Sequence, residues 1–158
     1  MHKSIKNLQD INRELAGEIK ENSLPNIIAV SKTFPISEIV PLVSHGHIHF
    51  GENKTQEAIS KWSDTKLKYP NIKLHLVGKL QTNKVKYAVS FFDFIHSLDS
   101  KKLAMKISEE QKKQNKKIKI FIQVNIGEEV QKSGIDQENL KGLYSYSKEL
   151  NLDVIGLM

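Results

Sequence analysis

Ile27-Ile28-Ala29-Val30-Ser31-Lys32-Thr33 runs as an apolar strand into a lysine, and a lysine at that point can act as a nucleophile. At the carboxyl ends of parallel strands the backbone leaves the sheet, and ligands bind there. Strand alternation puts Ile28, Val30 and Lys32 on one face and Ile27, Ala29 and Ser31 on the other. On that pattern Lys32 extends an apolar row into a partly desolvated mouth. Burial disfavours the ammonium form, and a neutral lysine attacks an aldehyde to give a Schiff base. The same position also suits an ordinary solvated lysine, since the chain has 24 basic residues of which Arg13 is the only arginine.

His45, His47 and His49 form a second pattern with chemical content. Fully extended, their three side chains would share a face as metal ligands do. The segment instead leaves a helix through Gly46 and enters a strand, with no acidic partner beside it, so no metal is expected there. The chain has no cysteine, which excludes disulfides and thiolate metal sites and is compatible with a reducing cytosol.

Alternating strands and helices must position these groups. Ile5, Leu8, Ile11, Leu15 and Ile19 mark one face of an N-terminal amphipathic helix. Short apolar strands are predicted at about 27–32, 48–51, 72–78, 92–97, 118–125 and 152–157. The intervening segments have helical spacing, as in Ile36, Ile39, Val40 and Val43, with Pro35 and Asp136 near helix starts. Six strands separated by helices imply parallel pairing through crossovers of one hand, with both sheet faces covered. No Gly-rich dinucleotide fingerprint follows any strand, because Gly46, Gly51 and Gly78 stand singly.

Composition narrows the function classes. A chain of 158 residues with 39% hydrophobic residues can bury one ordinary core, and it falls short of the roughly 250 residues typical of a complete (β/α)₈ barrel. The net charge of +6 invites a nucleic-acid reading. Its lysines are dispersed, however, and the densest run, Lys112 to Lys117, falls where a helix should end and cations are favoured. No apolar run approaches a membrane span, and Met1 to Lys20 lacks the hydrophobic core of a signal peptide, so a cytoplasmic protein is expected, with neither membrane nor nucleic acid as partner.

Several strings occur together in order: Ala29-Val30-Ser31-Lys32, Gly51-Glu52-Asn53, Leu74-His75-Leu76-Val77-Gly78-Lys79-Leu80-Gln81-Thr82-Asn83-Lys84, Ile95-His96-Ser97-Leu98-Asp99, Gln123-Val124-Asn125-Ile126 with Lys132-Ser133-Gly134, and Ile155-Gly156-Leu157-Met158. With them the chain resembles the pyridoxal phosphate homeostasis protein family, related to the N-terminal barrel of alanine racemase. The resemblance implies an α/β fold, a TIM-type (β/α)₈ barrel preceded by a helix, of which residues 1–158 supply the helix and about six β/α units as a single domain. It also implies that the C-terminal strands, whose loops hold most of the cofactor's phosphate, lie outside the sequence, and that the open barrel edges favour self-association.

The cofactor implied is pyridoxal 5'-phosphate, and the function a non-catalytic carrier acting in vitamin B6 and amino-acid homeostasis. The alternatives are a racemase-like enzyme, which in related barrels needs a second domain, and a basic RNA-binding or interaction module. Carried over residue by residue, Lys32 matches the Schiff-base lysine and Asn53 a polar residue lining the pocket, unless it caps the following helix. His75 should point inward with Val77, either as a buried, hydrogen-bonded core histidine or against the cofactor. Asn83 and Lys84 face the pocket mouth or cap the helix from Val85. Ser97 and Met158 end strands on the ligand side, where packing competes with contact as their role.

Overall fold

The computed structural model describes residues 1–19, 24–127 and 133–158; Lys132 of the Lys132-Ser133-Gly134 string lies outside them. Helix α1 (Lys3–Glu18) is followed by β1 (Ala29–Val30), α2 (Ile36–Ser44), β2 (His49–Glu52), α3 (Thr55–Lys68) and β3 (Lys73–Leu76). A short 3-10 turn (Thr82–Lys84) then leads into α4 (Val85–Phe91), β4 (Phe94–Leu98), α5 (Lys101–Gln114), β5 (Lys119–Ile122), α6 (Gln137–Glu149) and β6 (Asp153–Leu157).

All six strands are parallel and stand in chain order, β1 to β6. A doubly wound sheet reverses direction at a switch point, whereas an order without reversal keeps every crossover on one face. That winding is the arc of a (β/α) barrel. It also corrects the expectation that helices cover both faces of the sheet: among the described residues the crossover helices cover one. Phe50, Leu74, Leu76, Ile95, Ile120 and Ile122 point into the helical layer and pack with Trp62, Val89, Ile107 and Leu143. Phe50 and Trp62, both without exposed surface, lie 4.8 Å apart between ring centroids.

The element boundaries follow local chemistry. Pro35 is the residue before α2, where its fixed φ suits entry into a helix. Asp136 occupies the equivalent place before α6, although its side chain makes no capping bond. Helix α5 closes on Asn115 in the left-handed region, at φ 48°, with Lys112 and Lys113 in its last turn. The expected apolar stripe of α1 is only partly covered, since none of its residues is buried and Ile11 is 45% exposed. Strand β1 is the greatest departure: a strand expected over 27–32 pairs at two residues only, Ala29 and Val30, with β2 as its one partner among the described residues. Among the described residues no helix is long and apolar enough to cross a membrane.

Candidate functional site

Alternation holds along β1 up to Ser31. Ile28 and Val30 both lie 3.2 Å from where a Cβ on Gly51 would stand, and Val77 lies 3.5 Å from it, so these residues share the face that carries no helices. Ser31, on the other face, is buried. Lys32 departs from the expectation. It occupies a turn rather than the strand, and its side chain is exposed instead of held in a partly desolvated mouth. Among the described residues β1 has β2 alone beside it, which leaves the strand end without a wall on its other side.

Beneath this turn sits a buried polar cluster. Glu52, at the end of β2, is 1% exposed. One of its carboxylate oxygens accepts from Ser31 Oγ at 2.7 Å, Lys61 Nζ at 2.9 Å and Trp62 Nε1 at 2.9 Å. Lys61 also donates to the Ser31 carbonyl at 2.8 Å. A carboxylate enclosed by apolar core is tolerated only when charged and hydrogen-bonded partners surround it, and α3 supplies both partners from consecutive positions, Lys61 and Trp62.

The helix-free face carries a row of histidines. His49 Nδ1 and His75 Nε2 are 2.9 Å apart, and His75 Nδ1 and His96 Nε2 are again 2.9 Å apart. His75 stacks on Phe94 at 4.0 Å between centroids and His96 on Phe121 at 4.2 Å. The row therefore crosses β2, β3, β4 and β5. Burial pushes His75 down to about 3, helped by the neighbouring His96 and His49, and pushes His96 down to about 4. His49 and His47 are lowered as well, burial again leading. Both ring nitrogens of His75 are thus engaged within the protein, as a hydrogen-bonded core histidine requires. His45 caps the end of α2, Gly46 turns the chain at φ 96°, and His47 bonds through Nε2 to the His49 carbonyl at 2.9 Å. The three residues of the H-x-H-x-H pattern accordingly do not share a face.

The remaining expected site residues are distributed unevenly. Asn53 is half-buried and lines a hollow of about 420 Å³ together with Lys54, Lys79, Gln81 and Lys84, at the carboxyl ends of β2 and β3. Its capping role is corrected: Lys54 holds the cap position of α3, and no side chain caps that helix. Gly78 lets the two strand ends approach so closely that a Cβ there would collide with the Asn53 carbonyl. Asn83 turns away and, with Thr82, Lys102 and Met105, lines a separate hollow against α5. Lys84 holds the cap position of α4 without a side-chain bond. Ser97 is 2% exposed, and its Oγ is a buried side-chain polar atom that no partner satisfies among the described residues. Met158 is half-exposed, its backbone tied to Ile122 and Val124.

Sequence reasoning singled out neither Glu52 with Lys61 and Trp62 nor the link of His49 to His96. An acid within a buried apolar strand, followed nine residues later by a lysine on a helix, was the available signal for the first. The histidine row has no local signal, because only the register of three strands brings those residues together. Lys32 offers an exposed amine just past the end of β1, a group that an aldehyde can reach. The Ser97 hydroxyl lacks a partner among the described residues but is buried at the end of β4, and the hollow that Asn53 lines does not include Lys32.

Comparison with known proteins agrees with this geometry. Residues 6–158 match the family model described as alanine racemase, N-terminal domain. The chain is 41% identical over 133 residues to the pyridoxal phosphate homeostasis protein of Aquifex aeolicus, covering 84% of this chain and 58% of that protein. It is 36% identical over 157 residues to the protein of the same name from Buchnera aphidicola, covering 96% of this chain and 68% of that one. PipY of Synechococcus elongatus, solved without PLP, superposes with a TM-score of 0.82 at 33% identity, over 94% of this chain and 66% of PipY. PipY with PLP bound gives 0.75 at 32%, over 92% and 69%. The chain thus spans between 58% and 68% of the length of these two curated relatives. It belongs to the alanine racemase N-terminal domain family, among the pyridoxal phosphate homeostasis proteins.

Proposed function

We propose that this chain binds pyridoxal 5'-phosphate through a Schiff base on Lys32 and acts in vitamin B6 and amino-acid homeostasis as a carrier rather than an enzyme. The observation that carries the reading is the position of Lys32. It is the exposed residue directly after the pinned end of β1, on the side of the sheet where parallel folds bind ligands. The PLP-bound structure of PipY and the names of the homeostasis relatives support the same cofactor. When bound, the cofactor supplies an aldehyde carbon. The neutral Lys32 amine would hold that carbon through a C=N bond, the aldehyde oxygen and the two amine hydrogens leaving as water. Asn53 at the end of β2 and Ser97 at the end of β4 are the polar side chains assigned to the ring in this reading, with His75 and Met158 as candidate walls.

Borohydride reduction after incubation with pyridoxal phosphate tests the reading. Peptide mapping should locate the adduct on Lys32, and Lys32→Ala should abolish it. An adduct that persists on another lysine in the variant would show the assignment to be wrong. Turnover of any amino acid by the loaded protein would replace the carrier with an enzyme.

A further inference from the structure

We infer that Glu52 and Lys61, neither of which reaches the mouth of the sheet, are positioning residues that set where Lys32 projects. The inference rests on the reading of Lys32 as the cofactor lysine. Strand β1 pairs with β2 at only two positions, Ala29 with Phe50 and Val30 with Gly51. So short a strand, paired among the described residues with β2 alone, is a weak anchor, yet the residue before Lys32 is held at every polar group it owns. The Ser31 N–H donates to the Gly51 carbonyl at 2.9 Å, and its hydroxyl donates to Glu52 at 2.7 Å. Its carbonyl accepts both from Lys61 Nζ at 2.8 Å and from the Phe34 N–H at 3.1 Å.

The last of these bonds closes a four-residue turn from Ser31 to Phe34, with Lys32 and Thr33 at its two central positions. The orientation of the Ser31 carbonyl therefore fixes the plane of the peptide from which Lys32 departs. Lys61 grips that carbonyl, and Glu52 grips both Lys61 and Ser31. Trp62, the third donor to the same carboxylate oxygen, ties the clamp to the core of α3. Side-chain exposures of 1% for Glu52 and 14% for Lys61 shield the pair from competing water. A buried ion pair is weak evidence for a purely stabilising role, since apolar residues of similar volume serve that purpose as well. Its location under the reacting residue gives it a reason to be ionic and directional.

The test uses two small changes, Ser31→Ala and Lys61→Met, beside Lys32→Ala, in the chain as it stands with pyridoxal phosphate as the probe. Circular dichroism at the working temperature controls for folding. Each clamp variant should raise the half-saturating concentration for borohydride-trapped adduct about three- to tenfold, the range expected for one lost hydrogen bond. Each should also shift the pH profile of the adduct's visible band, and Ser31→Thr, which keeps the hydroxyl, should recover the wild-type profile. Clamp variants with wild-type half-saturation and profile, while Lys32→Ala loses the adduct, would overturn the inference and leave the Lys32 reading standing. Lower melting temperatures with an unchanged pH profile would reduce the clamp to a structural feature and equally overturn it. An adduct that survives Lys32→Ala removes both.

Discussion

His75 can stay neutral in the barrel interior because each of its ring nitrogens meets another imidazole, one receiving a hydrogen and the other giving one. Protonating it would place a charge in a nearly dry site beside two groups that repel that charge. Its folded value near 3 and that of His96 near 4 lie below the ordinary 6.5, so the folded state binds fewer protons than the unfolded chain between those limits. Stability from this pair is then fully present above about pH 6.5 and is lost as the pH falls toward 4 and below. The slope within that window should approach 1.4 kcal/mol per pH unit for each histidine. Thermal midpoints measured from pH 7 to pH 4 should fall, and the combined change His75→Leu and His96→Leu should flatten the fall. A midpoint that is level across the window would contradict the burial argument.

The loops between elements are tuned by single residues, and two glycines show how differently the same substitution should act. At Gly78 a new Cβ would run into backbone atoms of Asn53, which cannot rotate away, so the ends of β2 and β3 must separate. Gly78→Ala should cost about 1–3 kcal/mol in denaturant titration and loosen the hollow that Asn53 lines. Gly142, within α6, has open space around it, so Gly142→Ala should stabilise by about 0.5–1 kcal/mol through lower unfolded-chain entropy. Equal effects at the two sites would contradict the contact geometry. This contrast also shows what could be read beforehand. Six short apolar runs separated by segments of helical spacing located the strands, and Pro35 and Asp136 marked helix starts, because those signals are local. Gly78 looked like any single glycine, His75 gave no sign of His49 twenty-six residues away, and Asn53 lost its expected cap to Lys54. Each of these depends on how far one strand end advances beyond its neighbour, a quantity that sequence spacing leaves open.

At the scale of the whole molecule the unreversed strand order leaves two sheet edges and one face without helices. Among the described residues β1 pairs only with β2, and β6 only with β5. Both edges carry apolar side chains in solvent: Val30 is 50% exposed, Ile155 44% and Leu157 58%. Unpaired backbone groups next to exposed apolar side chains form a template for adding another strand, and closing a barrel is the way such folds remove it. The 158-residue chain should therefore self-associate through these edges. Sedimentation should show a concentration-dependent mass above that of the monomer, and Ile155→Lys with Leu157→Lys should lower it, since charge on an edge strand opposes pairing. The edge with Lys32 beside it should be the more sensitive to ligand. Cofactor held at the end of β1 would occupy the approach of a neighbouring strand, so saturating pyridoxal phosphate should weaken the association while Lys32→Ala leaves it unchanged by the cofactor. A monomeric mass with a sharp cooperative melt, in the absence of cofactor, would refute the edge argument and mean that the two edges are already covered.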